Sequence, residues 1–258
     1  MTTQAPSQQL LQDCAQRRAQ LSVGMQSGIA IIPTSPEVTR NRDSHYPYRF
    51  DSYFYYLTGF KEPESLVVVI AGDAPKSLLF CRDKNLEREI WDGFRFGPQA
   101  ALETFGFDEA YSIDALDEVM LKLLANEQHV FYSLGDNAHW DTRVTGWLNT
   151  LRSQARSGKG VPNSIQDVRQ LLDDMRLIKS PYEQSTMQAS ANIAAAAHNR
   201  AMQFTKPKLL ENQVEAEFLH AFYANGAQAP AYTSIVAGGA NACTLHYNAN
   251  NAVLNNGD

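Results

Sequence analysis

The chain has 258 residues, a hydrophobic fraction of 44% and a formal net charge of −6 from 22 basic and 28 acidic residues. That length buries the core of one large domain or two ordinary ones, and the composition excludes disorder as the default. An acidic balance with no basic block longer than Arg17-Arg18 argues against nucleic acid or an anionic membrane surface as the main partner.

Residues 1–21 are Gln-rich and interrupted by Asp13, Arg17 and Arg18, which is not the pattern of a signal peptide. Leu10, Leu11, Cys14, Ala15, Arg18, Leu21 and Met25 recur at helical spacing, so residues 7–23 are expected to form an amphipathic helix. Residues 28–33, Gly-Ile-Ala-Ile-Ile-Pro, read as a buried strand ended by proline. A polar, aromatic loop is expected over 34–49. Asp51 can cap a short helix over 53–57 that Gly59 closes. The apolar runs 66–70 and 77–81 read as neighbouring strands across the Gly72-Asp73 turn. Even the longer stretch 66–71 is far too short to span a bilayer.

Residues 87–97 carry charge and large aromatics without a period and are expected to project as a loop. Asp114 is the expected cap of a helix bearing Leu116, Val119, Met120, Leu123 and Leu124. A strand over 129–133 and a helix over 137–152 follow. Strands and helices alternate up to this point, which argues for an α/β domain with a mixed sheet. Residues 153–163 are small, polar and Gly-containing, and are expected to be the domain linker. A helix is expected over 165–178. Ser180-Pro-Tyr-Glu183 is a capping box that opens a long Ala-rich helix to about residue 204. Asn212-x-x-Glu215 can cap a third helix that ends at Gly226.

The stretch 230–250 concentrates the chemistry. Residues 233–236 read as a strand, and Gly238-Gly239 allow a tight turn. Cys243 and Leu245 then alternate with Thr244 and His246, which would put His246 opposite a core-facing Leu245. Residue type leaves His246 open between a functional group and a hydrogen-bonded structural histidine. Trp91 is open in the same way between a contact residue and a packing one. His198 and His220 lack carboxylates at ligand spacing and read as helix-packing or surface residues. The sequence contains no H-E-x-x-H, G-x-S-x-G, Walker or dinucleotide motif. Cys14, Cys81 and Cys243 form no C-x-x-C, the usage of reduced thiols in a cytoplasmic protein.

Several strings nevertheless resemble one family. Pro36-Glu-Val-Thr-Arg40, Asp43-Ser-His-Tyr-Pro-Tyr-Arg49, Tyr56-Leu-Thr-Gly-Phe-Lys-Glu-Pro-Glu64 and Glu89-Ile-Trp-Asp-Gly-Phe-Arg-Phe-Gly97 are similar to the N-terminal domain of proline-specific aminopeptidases (aminopeptidase P). Met175-Arg-Leu-Ile-Lys-Ser-Pro-Tyr-Glu183 and the 230–250 stretch, with its Leu-His-Tyr, extend the resemblance to the end of the chain. It implies a creatinase/prolidase-like α/β domain over 1–163, then the first part of an α+β pita-bread catalytic domain over 164–258. The implied activity is metal-dependent removal of an N-terminal residue preceding proline, with two manganese ions. The implied partners are peptides with proline at the second position and further copies of the chain, as a dimer or tetramer.

By resemblance His246 is catalytic and touches substrate, and Tyr232 lines the same site. Asp43 and Trp91 match positions that approach an active site, in the same or a neighbouring subunit. The family's five metal ligands match no residue of this chain, Asp258 included. The metals' ligands are therefore expected beyond Asp258, and the chain by itself is expected to be inactive. A prolidase or creatinase of the same fold, and a non-catalytic pita-bread module that binds peptides or proteins, are the alternatives.

Overall fold

The computed structural model describes residues 6–154, 156 and 158–258. Residues 1–5 of the N-terminal segment, and two residues of the stretch expected as linker, lie outside the described residues. The chain divides into two compact units, Met1–Ile178 and Lys179–Asp258.

The first unit is built on a six-stranded mixed sheet of order β6-β5-β4-β1-β7-β8. The strands are β1 (Gly28–Pro33), β4 (Leu66–Ala71), β5 (Lys76–Cys81), β6 (Glu109–Ser112), β7 (His129–Phe131) and β8 (Ser164–Gln166). β4 runs antiparallel to β1 and to β5, whereas β6, β7 and β8 each join a parallel neighbour. A small hairpin, β2 (Thr39–Asn41) and β3 (Ser44–His45), interrupts the expected 34–49 loop.

Both faces of the sheet are covered, which is why its central strands are apolar without alternation. Ala30, Ile32, Val67, Val69, Leu79 and Cys81 face one core, packed by α1 (Gln8–Met25), α2 (Ser52–Thr58), α4 (Gly97–Phe105) and α7 (Arg169–Leu177). Ile29, Ile31, Leu66, Val68, Leu78 and Phe80 face the other, packed by α5 (Leu116–Leu124) and α6 (Ala138–Ser153). Gly28 enters β1 at φ +107°, and a Cβ there would lie 2.5 Å from the His129 carbonyl oxygen. Only glycine lets β1 and β7 approach so closely.

Local signals set most helix ends as expected. Asp51 accepts from the Phe54 amide and Gly59 closes α2 in the left-handed region. Asn137 accepts from the His139 and Trp140 amides at the start of α6. Three expectations for the first unit are corrected. Residues 86–92 form a helix, α3 (Leu86–Asp92), capped by Asn85 and braced by an Arg88–Asp92 ion pair, although it buries no residue. Asp114 does not cap α5; the Ser112 hydroxyl accepts from the Asp114 amide and opens a short turn of 3-10 helix instead. Residues 164–166 form β8 rather than the start of a helix.

The first unit runs past residue 163 to Ile178. β8 pairs with β7, and Val168 and Leu172 of the α7 region are buried in the first core. Apolar burial of this kind ties a segment to its unit more strongly than a Gly-containing loop separates it.

The second unit contains α8 (Pro181–Phe204) and α9 (Glu211–Ala224). The capping box at Ser180 is formed: its hydroxyl accepts from the Glu183 amide and Glu183 accepts from the Ser180 amide. The two helices pack with Ala197, Ala201, Val214 and Ala221 buried, the small side chains permitting close approach. α9 starts before the expected cap, since Gln213 accepts from the Leu210 amide, and Glu215 bonds elsewhere. Residues 233–236 form no strand, and neither do residues 243–246; a 3-10 turn, Gly239–Cys243, precedes His246 instead.

Candidate functional site in the second unit

The 230–252 segment has almost no regular backbone pairing, so its order must come from side chains. Two of them supply it. Asn250 is buried at φ +47°. Its amide nitrogen donates to the Ser234 carbonyl at 2.9 Å and to Glu215 at 3.0 Å, while its oxygen accepts from the Val236 amide at 3.0 Å. Asparagine is among the residues that best tolerate this left-handed backbone.

Glu211, in the first turn of α9, is the second. It is fully buried. One carboxylate oxygen accepts from the Gly238 amide at 2.9 Å and the Asn241 side chain at 3.2 Å. The other accepts from the Tyr247 hydroxyl at 2.7 Å and the Ala252 amide at 3.0 Å. Burial pushes the carboxyl up, but the hydrogen bonds from Tyr247, Gly238, Ala252 and Asn241 outweigh it and bring the group down to about 2. The same bond from Tyr247 holds its phenol above the usual value. The adjoining glycines are required by space. A Cβ at Gly238 would sit 2.5 Å from Leu254, and one at Gly239, where φ is +53°, 2.9 Å from the Asp258 carboxylate.

Beside this frame lies an open groove of about 570 Å³. Ala189, Ile193 and His198 of α8, Phe218 and Phe222 of α9, and several residues between 229 and 236 line it. His198 packs edge-on against Phe218 with ring centroids 4.8 Å apart, a helix-packing contact. Tyr232 is 74% exposed and lines the groove. His246 is also exposed but does not line the groove, and Leu245 beside it is 89% exposed instead of facing a core. Asp43 and Trp91 belong to the first unit and lie on separate elements. Asp43 is exposed in the β2–β3 turn, and Trp91 is 83% exposed on α3 next to exposed Ile90. The α3 segment is nonetheless well held: Glu89 pairs with Lys84 and accepts from the Arg95 amide, and Glu62 accepts from the Phe96 amide at 2.8 Å.

Glu211 carries no signal in the sequence. An acidic residue in a helix's first turn is ordinary, and its four donors lie 27 to 41 positions away. No local pattern marks it. Among the described residues, no group of three or more His, Cys, Asp or Glu side chains is placed to hold a metal ion. No described helix is long and apolar enough to cross a membrane.

Comparison with known proteins places both units. The family model described as the aminopeptidase P N-terminal domain matches residues 14–132, and that of metallopeptidase family M24 matches residues 185–258. The chain is 39% identical to the Xaa-Pro aminopeptidase of Escherichia coli K12 over 250 residues, which is 96% of this chain and 57% of that protein. It is 30% identical to human Xaa-Pro aminopeptidase 3, over 96% of this chain and 49% of the relative. Among solved structures, aminopeptidase PepP of Pseudomonas aeruginosa superposes with a TM-score of 0.94 at 43% identity, covering 96% of this chain and 57% of that one. A variant of Escherichia coli aminopeptidase P in complex with substrate gives 0.94 at 39% identity with the same coverage. The chain thus spans about half the length of these relatives.

Proposed function

The chain belongs to the aminopeptidase P family of M24 metallopeptidases, and we propose that the protein it represents is a metal-dependent aminopeptidase hydrolysing the bond between an N-terminal residue and a following proline. The observation that supports this best is identity of 39% maintained over 96% of the chain, across both units. The substrate class fits the chemistry of the bond. An X–Pro peptide has no N–H on its proline, so a general peptidase that needs that donor handles it poorly.

The described residues do not supply a metal site. In the family reading a metal pair, assigned as manganese, would be held by residues outside those described and would supply a hydroxide nucleophile and polarise the scissile carbonyl. This chain's own contribution is the neighbouring wall. His246, exposed beside Tyr247, is assigned to donate a hydrogen bond to the substrate carbonyl as negative charge develops on its oxygen. Tyr232, at the mouth of the groove, is assigned to line the peptide path. Asp43 and Trp91, exposed on the first unit, are assigned to a rim offered to a peptide site in the same or a neighbouring copy, in a dimer or tetramer. Three free thiols suit a cytoplasmic location.

The test is peptide cleavage by the longer polypeptide carrying this chain, with manganese. An Arg-Pro-Pro peptide should lose its N-terminal residue, an Arg-Ala-Ala peptide should not, and His246→Ala should lower kcat by about a hundredfold. Cleavage confined to dipeptides would favour a prolidase. Failure to cleave any X–Pro bond, with the metal bound, would reject the peptidase reading. The 258-residue chain by itself is expected to bind no metal pair and to cleave neither peptide.

A further inference from the structure

Glu211 is fully buried, yet all four of its side-chain partners are uncharged donors. Those donors come from three points along one segment: Gly238 and Asn241 before His246, Tyr247 immediately after it, and Ala252 beyond. We infer that Glu211 is a positioning residue, whose carboxylate fixes the backbone on both sides of His246 and so fixes where the imidazole stands.

The chemistry requires a carboxylate. Four donors need two oxygens that each accept twice, and only an ionised carboxyl offers that. Glutamine presents one oxygen and one NH₂. Whichever way its amide is turned, the NH₂ would face a backbone N–H, that of Gly238 or of Ala252. Aspartate is one methylene too short to reach the same four donors from the same turn of α9. The bonds have limited competition: residues 234–250 contain no strand, and their other anchors include Asn250, the short turn Gly239–Cys243 and the Asn241 side chain, which donates to the Tyr247 hydroxyl at 3.1 Å. The Glu211 amide itself donates to the Ala252 carbonyl at 3.0 Å, and the Leu254 amide to the Leu209 carbonyl at 2.8 Å. The start of α9 and the end of the segment are therefore locked in register. A group so held acts through His246 without touching a substrate.

The catalytic half of this inference rests on the peptidase reading; the structural half does not. The test uses Glu211→Gln, Tyr247→Phe and, as a control on the same helix, Glu217→Gln. In the 258-residue chain, amide exchange should quicken about tenfold or more at Gly238 and Ala252 in Glu211→Gln, while α8 amides keep their protection. The ring resonances of His246 should shift in that variant and remain unmoved in Glu217→Gln. In the longer active polypeptide, Glu211→Gln should lower kcat about tenfold or more with KM within about twofold, as expected when only a transition-state contact is misplaced. Tyr247→Phe, which keeps three donors, should give a smaller change of the same kind and serves if Glu211→Gln does not fold. Unchanged exchange around His246, or a uniform rise through α8 and α9 in both variants with kcat intact, would overturn the assignment. If the unsubstituted protein cleaves no X–Pro bond, the peptidase reading falls, and exchange and the His246 resonances still decide the role of Glu211.

Discussion

The Tyr247 phenol donates to the Glu211 carboxylate at 2.7 Å across 36 positions of chain, and His246 is Tyr247's immediate neighbour. The imidazole is exposed, but the backbone that carries it is pinned to a buried charge. Exposure of a side chain and rigidity of its base are separate properties, and an enzyme needs both in a group that must meet substrate without searching for it.

The same carboxylate makes the second unit sensitive to acid. Glu211 has an ordinary value of 4.5 and is brought down to about 2 in the fold. The unfolded chain therefore binds the proton more readily, and the contribution of Glu211 to stability is complete only above the ordinary value of 4.5. It is lost as pH falls from there towards 2. Protection of α9 amides should decline across that window before protection of β4 does. Glu211→Gln should be less protected at neutral pH and show a flatter profile in acid. A wild-type profile for α9 as flat as the variant's would contradict this.

The legible parts of the fold are those whose energy is local or one-dimensional. β1 and β4 are apolar throughout and β5 from Leu78 on, because both of their faces are buried, and α2 and α8 carry their caps in the sequence itself. β6 escapes such reading because Glu109, Ala110, Tyr111 and Ser112 are only half-buried at a sheet edge, so no pattern distinguishes them. α3 escapes it because it has no buried face at all; its order comes from Asn85 and ion pairs. The 230–250 stretch resembles two strands because β-branched and alternating residues suit a pleat. Its structure is instead set by Glu211, Glu215 and Asn250, through bonds reaching 14 to 41 positions. Such bonds leave no period to read. His246 stands out by residue type and resemblance, whereas the group that holds its backbone has neither signal.

Arg18 should be the most sensitive side chain of the first unit's helix α1. It is buried, and it donates to the Leu57 carbonyl at 2.9 Å, to the Gly106 and Phe105 carbonyls at 2.7 and 3.3 Å, and to the Ser77 hydroxyl at 3.2 Å. Its guanidinium also lies 4.2 Å from the Phe107 ring centroid. One planar fork thus closes the ends of α2 and α4 and the edge of β5. Lysine has one nitrogen and cannot span these acceptors. Arg18→Lys should cost about 3 kcal/mol, and Arg18→Met at least as much, because several buried carbonyls lose their donors. Urea denaturation followed by the buried Trp140 and Trp147 would measure it. A loss below about 1 kcal/mol for both variants would show that the carbonyls find other partners.

The three thiols should differ sharply in reactivity. Burial pushes Cys14 up to about 11 and Cys81 up to about 12, and both are enclosed in the first unit. Cys243 is exposed in the 3-10 turn near the candidate site. Thiolate, not thiol, attacks an aromatic disulfide reagent, and access is needed as well. In mildly alkaline buffer one thiol per folded chain should therefore react promptly, and it should be lost in Cys243→Ser. Denaturant should release the other two. Reaction of Cys14 or Cys81 at the rate of Cys243 would mean that the first unit opens locally far more often than its packed double-faced sheet implies.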